Sequence, residues 1–180
     1  MPRSPADLSA RIDAVRLLVL DVDGVLTDGS IVYSDAGEEL KRFHVRDGSG
    51  LKLWQSAGMY AAVLSGRSSP AVSRRAAELG IAVVLQGRSD KLAALAEILA
   101  ATGCTAAQAC AIGDDLQDLP LLNAAGVAVA VADACPEVRT MADTTTTTPG
   151  GHGAVRELVE WLLKHQGRWA DLIARDRPAG

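Results

Sequence analysis

Residues 17–29 read LLVLDVDGVLTDG, and this stretch decides the fold. Its first four residues are apolar without interruption, which is typical of a strand buried on both faces of a parallel sheet. The apolar run ends at Asp21 and Asp23. We therefore expect two carboxylates at the carboxyl end of a strand, where open α/β sheets bind their ligands. Gly24 then allows the chain to leave the sheet in a tight turn.

Two carboxylates this close repel each other unless a cation or a shared proton relieves them, so Asp21 and Asp23 favour a hard divalent ion such as Mg²⁺. A calcium loop beginning at Asp21 would need an oxygen ligand at its fifth position and glutamate at its twelfth. Those positions hold Val25 and Val32, which excludes that kind of site. A purely structural alternative, in which both acids cap a turn, stays open on this stretch alone.

The composition indicates a soluble globular protein. The chain has 180 residues, 48% of them hydrophobic and 22% charged, which suits a single domain with a core over about 15–166 and a mobile tail over 167–180. Lysine and arginine number 18 against 22 acids, and no dense basic cluster indicates nucleic-acid binding. The apolar runs are too short for a membrane span, and no secretion signal is evident, so we expect a cytoplasmic protein.

The three cysteines are Cys104, Cys110 and Cys135. Their odd number and wide spacing support neither a disulfide framework nor a zinc site. We expect them to be small buried thiols.

Further buried-strand patterns follow the first, and several end at polar loops before helices. They lie at 60–64, 81–85, 109–112, 127–131 and 144–148, followed by an amphipathic helix over 154–163. This alternation predicts an α/β fold with a Rossmann-like parallel sheet flanked by helices. Acids after two different strands, at Asp21 and Asp114, meet only if those strands are neighbours.

Ser65 and Lys91 both lie between a predicted strand and a predicted helix. At Ser65-Gly66 the hydroxyl and the free N–H groups of a helix start can bind a phosphate oxygen, although a plain N-cap also explains the serine. Lys91 lies in the first turn of its helix, where a cation opposes the helix dipole. It therefore requires a phosphate or a carboxylate as partner.

A β-hairpin is predicted over 30–45, around the turn residues 34–37. It follows the acidic loop directly and is too small to be a cap domain, so we expect a flap over the site. Residues 45–50 are predicted as a loop that opens a helix, with Asp47 near its N-cap. Arg46 in this loop fits either a surface ion pair or a contact to an anion or a sugar.

Taken together, Asp21, Asp23, Ser65, Lys91 and Asp114 occur in the order of four motifs, each after a strand, and in this the chain resembles the haloacid dehalogenase-like phosphatases. The resemblance implies that Asp21 attacks phosphorus to form an aspartyl-phosphate. It implies that Asp23 protonates the leaving alcohol and then activates water. Ser65 and Lys91 are expected to neutralise the phosphoryl oxygens, without which a carboxylate is a weak nucleophile.

The same resemblance implies the metal ligands. Mg²⁺ is expected on Asp21, on the backbone carbonyl of Asp23 and on Asp114. Asp118 is spaced to orient Lys91 or a metal-bound water.

The absence of a cap insertion makes the chain similar to the subgroup of 3-deoxy-D-manno-octulosonate 8-phosphate phosphatases, which act in lipopolysaccharide biosynthesis. The similar stretches are residues 23–29, 45–48, 66–67, 86–87 and 151–157. This resemblance implies a sugar-acid phosphate as substrate and a homotetramer whose hairpins meet at its centre. The implied substrate-binding residues are Asp23, His44, Val45, Arg46, Asp47, Gly48, Gly66, Arg67, Arg75 and Lys91.

Two departures and two alternatives bear on the substrate. Lys52 and His152 stand where relatives often carry arginine. One alternative is a phosphatase for a nine-carbon sugar-acid phosphate, although Arg67 stands where that relative tends to have an acid. The other is a non-catalytic oligomerisation module related to those attached to sialic-acid cytidylyltransferases, which the complete set of motif residues disfavours.

Overall fold

The structure is a computed structural model that describes residues 5–175 of the chain. Strands and helices alternate along it, as predicted. The helices are α1 (Pro5–Ala14), α2 (Val45–Ser56), α3 (Pro70–Leu79), α4 (Lys91–Thr102), α5 (Leu119–Ala124), α6 (Pro136–Met141), α7 (Ala154–His165) and α8 (Trp169–Arg175). The strands are β1 (Leu17–Leu20), β2 (Val32–Tyr33), β3 (Glu39–Leu40), β4 (Tyr60–Leu64), β5 (Val83–Leu85), β6 (Ala109–Gly113), β7 (Val127–Ala130) and β8 (Thr144–Thr145).

Six of these strands form one parallel sheet in the order β5-β4-β1-β6-β7-β8. The first strand, β1, lies in the middle and is completely buried, as its apolar run predicts. Its last residue, Leu20, pairs with Val63 on β4 and with Ile112 on β6. The polar loops that follow these three strands therefore lie side by side. The predicted α/β fold with a parallel sheet flanked by helices is confirmed.

The predicted hairpin is also present. Strands β2 and β3 pair antiparallel just after β1, and the turn between them contains Gly37 at φ +80°. Both hairpin strands have only two residues, and they form a small sheet of their own, separate from the six-stranded one.

Helix α2 begins earlier than predicted. Residues 45–50 are its first turns rather than a loop, and His44, not Asp47, holds the N-cap position. Asp47 instead is buried and accepts a hydrogen bond at 2.8 Å from the backbone N–H of Arg156 on α7. The prediction that Asp47 lies near the N-cap of α2 is therefore wrong, and its carboxylate binds the first turn of α7 instead.

The threonine tract forms a shorter strand than predicted. Only Thr144 and Thr145 pair with β7 as a strand. The backbone N–H groups of Thr147 and Thr148 turn away from β7 and donate to the carboxylate of Glu157, at 2.7 and 2.9 Å. The strand therefore ends where a side chain takes over its hydrogen bonds. Strand β5 is also shorter than the predicted strand over 81–85, because it begins at Val83.

Part of the predicted loose tail is helical. Helix α8 packs on the core through Leu172, which is 5% exposed. The ring of Trp169 lies beneath the cationic groups of Arg156 and Lys164, at 5.4 and 5.2 Å from its centroid. The last part of the predicted tail, 176–180, lies outside the described residues.

The buried apolar side chains of residues 5–175 form one core cluster on both faces of the sheet. Within it, Cys110 is fully buried, whereas Cys104 and Cys135 are half-buried, and all three thiols are free. Among the described helices, none has the length and apolarity needed to cross a membrane.

Candidate active site

Three neighbouring strands deliver the candidate catalytic side chains to one edge of the sheet. Asp21 directly follows β1, Ser65 follows β4, and Asp114 follows β6. Since β1 lies between the other two strands, the three side chains surround one cleft of about 160 Å³. We call it the acidic cleft, and its lining residues are Asp21, Asp23, Ser65, Gly66, Arg67, Lys91, Asp114, Asp115, Gln117 and Asp118.

Lys91 is held between two carboxylates at the bottom of the acidic cleft. Its Nζ donates to Oδ1 of Asp21 at 2.6 Å and also to Oδ1 of Asp118. All three side chains are almost fully buried. Burial acts to lower the pKa of Lys91, but the charges of Asp21 and Asp118 outweigh it and raise that pKa above its ordinary value. Lys91 was predicted to need a phosphate or a carboxylate as partner, and within the chain it has two carboxylates, those of Asp21 and Asp118.

Three carboxylates converge beside this lysine. Oxygen atoms of Asp21, Asp114 and Asp118 all lie within 4.8 Å of one another. Burial, followed by the charge of Asp118, raises the pKa of Asp21 to about 7. Burial, followed by the charge of Asp21, raises the pKa of Asp114 to about 8. One lysine does not compensate three acids in so dry a site, and these hard oxygen donors fit a Mg²⁺ ion.

Asp118 also shapes the loop that carries Asp114. Its Oδ2 accepts hydrogen bonds from the backbone N–H groups of Asp114 and Asp115, at 3.0 and 3.3 Å. Its other oxygen accepts from Lys91. Asp118 therefore orients the lysine, as expected from its spacing, and fixes the second acidic loop as well.

The side chain of Asp23 lies apart from the three converging carboxylates. One oxygen of Asp23 accepts from Lys41, at the end of the hairpin, and the other is 3.9 Å from Nε of Arg67. Glu39 on β3 joins the two cations, because its oxygens lie 3.1 Å from Lys41 and 3.0 Å from Arg67. Sequence reasoning missed Lys41 and Glu39. The available signal was that Glu39, on β3, and Lys41, just beyond it, stand two residues apart, the spacing that places side chains on the same face of an extended chain.

Ser65 is buried in the wall of the acidic cleft, and its Oγ accepts from the backbone N–H of Arg67 at 3.2 Å. Helix α3 begins only at Pro70, with Ser69 at its N-cap. The plain N-cap interpretation of Ser65 is therefore wrong, and so is the expectation that Ser65-Gly66 opens the helix with free N–H groups. Gly66 lies beside Ser65 in the cleft, and the Cβ of any larger residue there would approach Oε1 of Gln117.

The other predicted substrate-binding residues do not line the acidic cleft within the single chain. We call His44, Val45, Arg46, Asp47, Gly48 and Arg75 the α2 cluster, because five of them lie at the start of α2. Val45 and Arg46 are exposed, Val45 by 76%. The others surround a separate, almost filled pocket of about 10 Å³. Only Asp23, Gly66, Arg67 and Lys91 of the predicted substrate set lie in the cleft.

The glycine-rich loop at residues 150–153 packs against the loop that follows β1 and carries Asp21 and Asp23. The N–H of Gly151 donates to the carbonyl of Val25 at 2.9 Å, and a Cβ on Gly150 would overlap the carbonyl oxygen of Gly24. His152 in this loop bonds the carbonyl of Gly150 at 2.7 Å, so its ring braces the loop. Direct packing of backbone on backbone explains why glycines occupy these positions.

The chain is similar in sequence to one family of hydrolases and to phosphatases within it. Residues 81–158 match the family of haloacid dehalogenase-like hydrolases. Over 161 residues, the chain is 43% identical to the 3-deoxy-D-manno-octulosonate 8-phosphate phosphatase of Haemophilus influenzae, covering 89% of each chain. The relative from Escherichia coli K12 is 44% identical over 163 residues, 91% of this chain and 87% of that one.

Solved structures resemble the chain equally well. The 3-deoxy-D-manno-octulosonate 8-phosphate phosphatase of Moraxella catarrhalis, in complex with magnesium, phosphate and KDO, superposes with a TM-score of 0.92. It is 40% identical, and the match covers 97% of this chain and all of that one. The cobalt-bound phosphatase of Haemophilus influenzae has a TM-score of 0.85 at 44% identity, covering 87% of this chain and 92% of that one.

Proposed function

The chain belongs to the haloacid dehalogenase-like family of 3-deoxy-D-manno-octulosonate 8-phosphate phosphatases, and on that premise we propose that it hydrolyses this sugar-acid phosphate to 3-deoxy-D-manno-octulosonate and phosphate. The observation that carries the proposal is the buried Asp21 held by Lys91 in the acidic cleft. A carboxylate fixed beside a cation at the floor of an open cleft is suited to attack a phosphorus atom.

Asp21 is the nucleophile in this proposal. Its carboxylate attacks phosphorus and the bond to the sugar oxygen breaks, which leaves an aspartyl-phosphate. Lys91 and the hydroxyl of Ser65 offset the charge on the phosphoryl oxygens, and Asp118 keeps Lys91 in place. Burial of these groups excludes water that would weaken their electrostatic interactions.

Asp23 is the acid–base group. It gives its proton to the departing sugar oxygen in the first step. In the second step it takes a proton from the water that attacks phosphorus, while the bond between phosphorus and the Asp21 carboxylate oxygen breaks and inorganic phosphate is released. Its side chain is 23% exposed, in contrast to Asp21, which suits a group that exchanges protons with leaving group and water.

Asp21, Asp114 and the backbone carbonyl of Asp23 would hold Mg²⁺, and the hard oxygen donors of the acidic cleft fit this ion. When bound, Mg²⁺ supplies positive charge that offsets the charge of the phosphoryl group.

The substrate can be tested by a phosphate-release screen with Mg²⁺ over sugar-acid phosphates. We expect the eight-carbon 8-phosphate to give the highest kcat/KM, with Arg67 available to pair with a sugar carboxylate. Preference for a nine-carbon 9-phosphate would assign the chain to the alternative substrate. If the folded protein releases phosphate from none of these esters, that result would instead support the interpretation as a non-catalytic oligomerisation module.

A homotetramer completes the proposal. Ile31, Val32, Tyr33 and Leu40, which we call the hairpin surface, are about half exposed, and this much apolar area on one small hairpin favours burial against another copy. In such an assembly a neighbour would close the open acidic cleft and bring the α2 cluster into use. Light scattering tests the tetramer, and a monomer with full sugar-phosphate activity would contradict it.

The three free thiols suit the reducing cytoplasm, where we place the enzyme.

A further inference from the structure

Lys41 is an unusual lysine for a hairpin. Its side chain is only 2% exposed, although lysines are rarely buried unless they are paired. Its amino group contacts Oδ1 of Asp23 and lies 3.1 Å from Oε1 of Glu39. A buried ammonium with two carboxylate partners has little freedom to move, so it fixes whatever it binds.

The other oxygen of Asp23 also faces a cation. Nε of Arg67 lies 3.9 Å from it, and Nη2 of the same arginine lies 3.0 Å from Glu39. Glu39 thus links the two cations that flank Asp23. The arginine is nearly half exposed, whereas Lys41 is buried, so Lys41 is the fixed member of the pair.

The acid–base group needs such a support. Asp23 lies on a loop that turns at Gly24 with φ +90°, outside the regular hydrogen bonding of the sheet. A carboxylate on a loop can rotate about its side-chain bonds, and each rotamer presents a different oxygen to the leaving group. With one oxygen held in an ion pair by Lys41, the other oxygen has a fixed place beside Arg67 in the lining of the cleft, and such a fixed place is what proton transfer requires.

We propose that Lys41 is a positioning residue for the acid–base carboxylate of Asp23, an inference that rests on the proposed phosphatase function. Lys41 transfers no proton. The proton passes from Asp23 to the sugar oxygen as the bond between that oxygen and phosphorus breaks, and it is regained from the attacking water. The hairpin therefore contributes to catalysis within its own chain.

The test compares two esters that differ in their need for protonation. The leaving group of p-nitrophenyl phosphate departs without an acid, whereas the sugar alcohol of 3-deoxy-D-manno-octulosonate 8-phosphate requires one. We expect Lys41→Met to lower kcat on the sugar phosphate by about 10²-fold, with a far smaller loss on the aryl phosphate and little change in KM. Lys41→Arg should restore much of the sugar-phosphate rate.

A double mutant tests whether Lys41 acts through Asp23. In the Asp23→Asn background, the added Lys41→Met change should have little further effect on the sugar phosphate, because the group being positioned is already gone. The control is Lys164→Met, which also removes a lysine paired with a glutamate, at 2.8 Å, but on α7. It should leave both esters unaffected.

Equal losses on both esters, or a raised KM with unchanged kcat, would overturn the inference. If the Lys41→Met variant does not fold, Lys41→Gln, which retains a hydrogen-bond donor, takes its place in the experiment. Wild-type kcat of the tested variant on both esters would likewise overturn the inference. Wild-type protein that releases no phosphate from either ester would refute the proposed function itself, which separates the two failures.

Discussion

The acidic cleft and the hairpin surface differ in how complete they are within one chain. In the cleft, Asp21, Lys91 and Asp118 come from different elements of the fold, yet each finds its partners in the same subunit and is buried. On the hairpin surface, Val32 and Leu40 remain about half exposed. The chemical groups of the cleft are thus complete within one subunit, whereas in the tetramer proposed above the hairpin surface would be covered only by a neighbouring copy.

The largest effect is expected for Asp21→Asn. The amide has the shape of the carboxylate but is hardly nucleophilic, so turnover of every ester should fall by about 10³-fold or more. Circular dichroism should show an unchanged fold, and binding of inorganic phosphate should persist. Retained turnover would show that Asp21 is not the nucleophile, and the acidic cleft would then not be the chemically complete region of the subunit.

Asp114→Ala should have the next largest effect. Removing one of the three converging carboxylates should weaken Mg²⁺ binding, measured by calorimetry, and lower kcat by about 10²-fold. EDTA should abolish wild-type activity, and added Mg²⁺ should restore it.

Asp115→Ala is the matched control for that change. Its carboxylate accepts from the N–H of Leu116 and caps the short turn over Leu116–Asp118, so its loss should affect stability by about 1 kcal/mol and activity little. Equal and small effects of both variants would remove Asp114 from the site.

Charges on the hairpin surface sharpen the comparison. If the chain forms the proposed tetramer, Val32→Asp combined with Leu40→Asp should dissociate it and lower sugar-phosphate activity by about tenfold. Activity on p-nitrophenyl phosphate should be spared, because the cleft stays complete in each chain. Tyr60→Asp is the control, since this residue is equally exposed but begins β4 at the far end of the sheet. Equal losses on both esters would show that the two regions are not separable.

The smallest effect is expected in the α2 cluster. Arg46→Ala should raise KM for the sugar phosphate several-fold without changing kcat, since the exposed guanidinium contributes binding alone. Steady-state kinetics on both esters measures it, with Arg74→Ala on the exposed face of α3 as control. An unchanged KM would exclude Arg46 from substrate recognition.

The parts predicted correctly from sequence depend on local patterns. A buried apolar run that ends at an acid, as at Leu20 and Asp21, places that acid at the end of a strand wherever the strand lies in the sheet. Lys41 could not be found in this way, because its burial depends on how the hairpin folds back over Asp23. Nor could the role of Asp47, whose partner, the N–H of Arg156, is 109 residues away.

That last contact has a consequence for the order in which the molecule folds during synthesis. Helix α7 receives its cap from Asp47, and just beyond its end Gln166 donates to the carbonyls of Ile12 and Val15, at 2.9 and 3.0 Å. The first two described helices, α1 and α2, thus acquire these partners only after residues 156–166 have been made. Contacts of such long sequence separation form late and slow folding, so a nascent chain must leave the ribosome with its first helices uncovered.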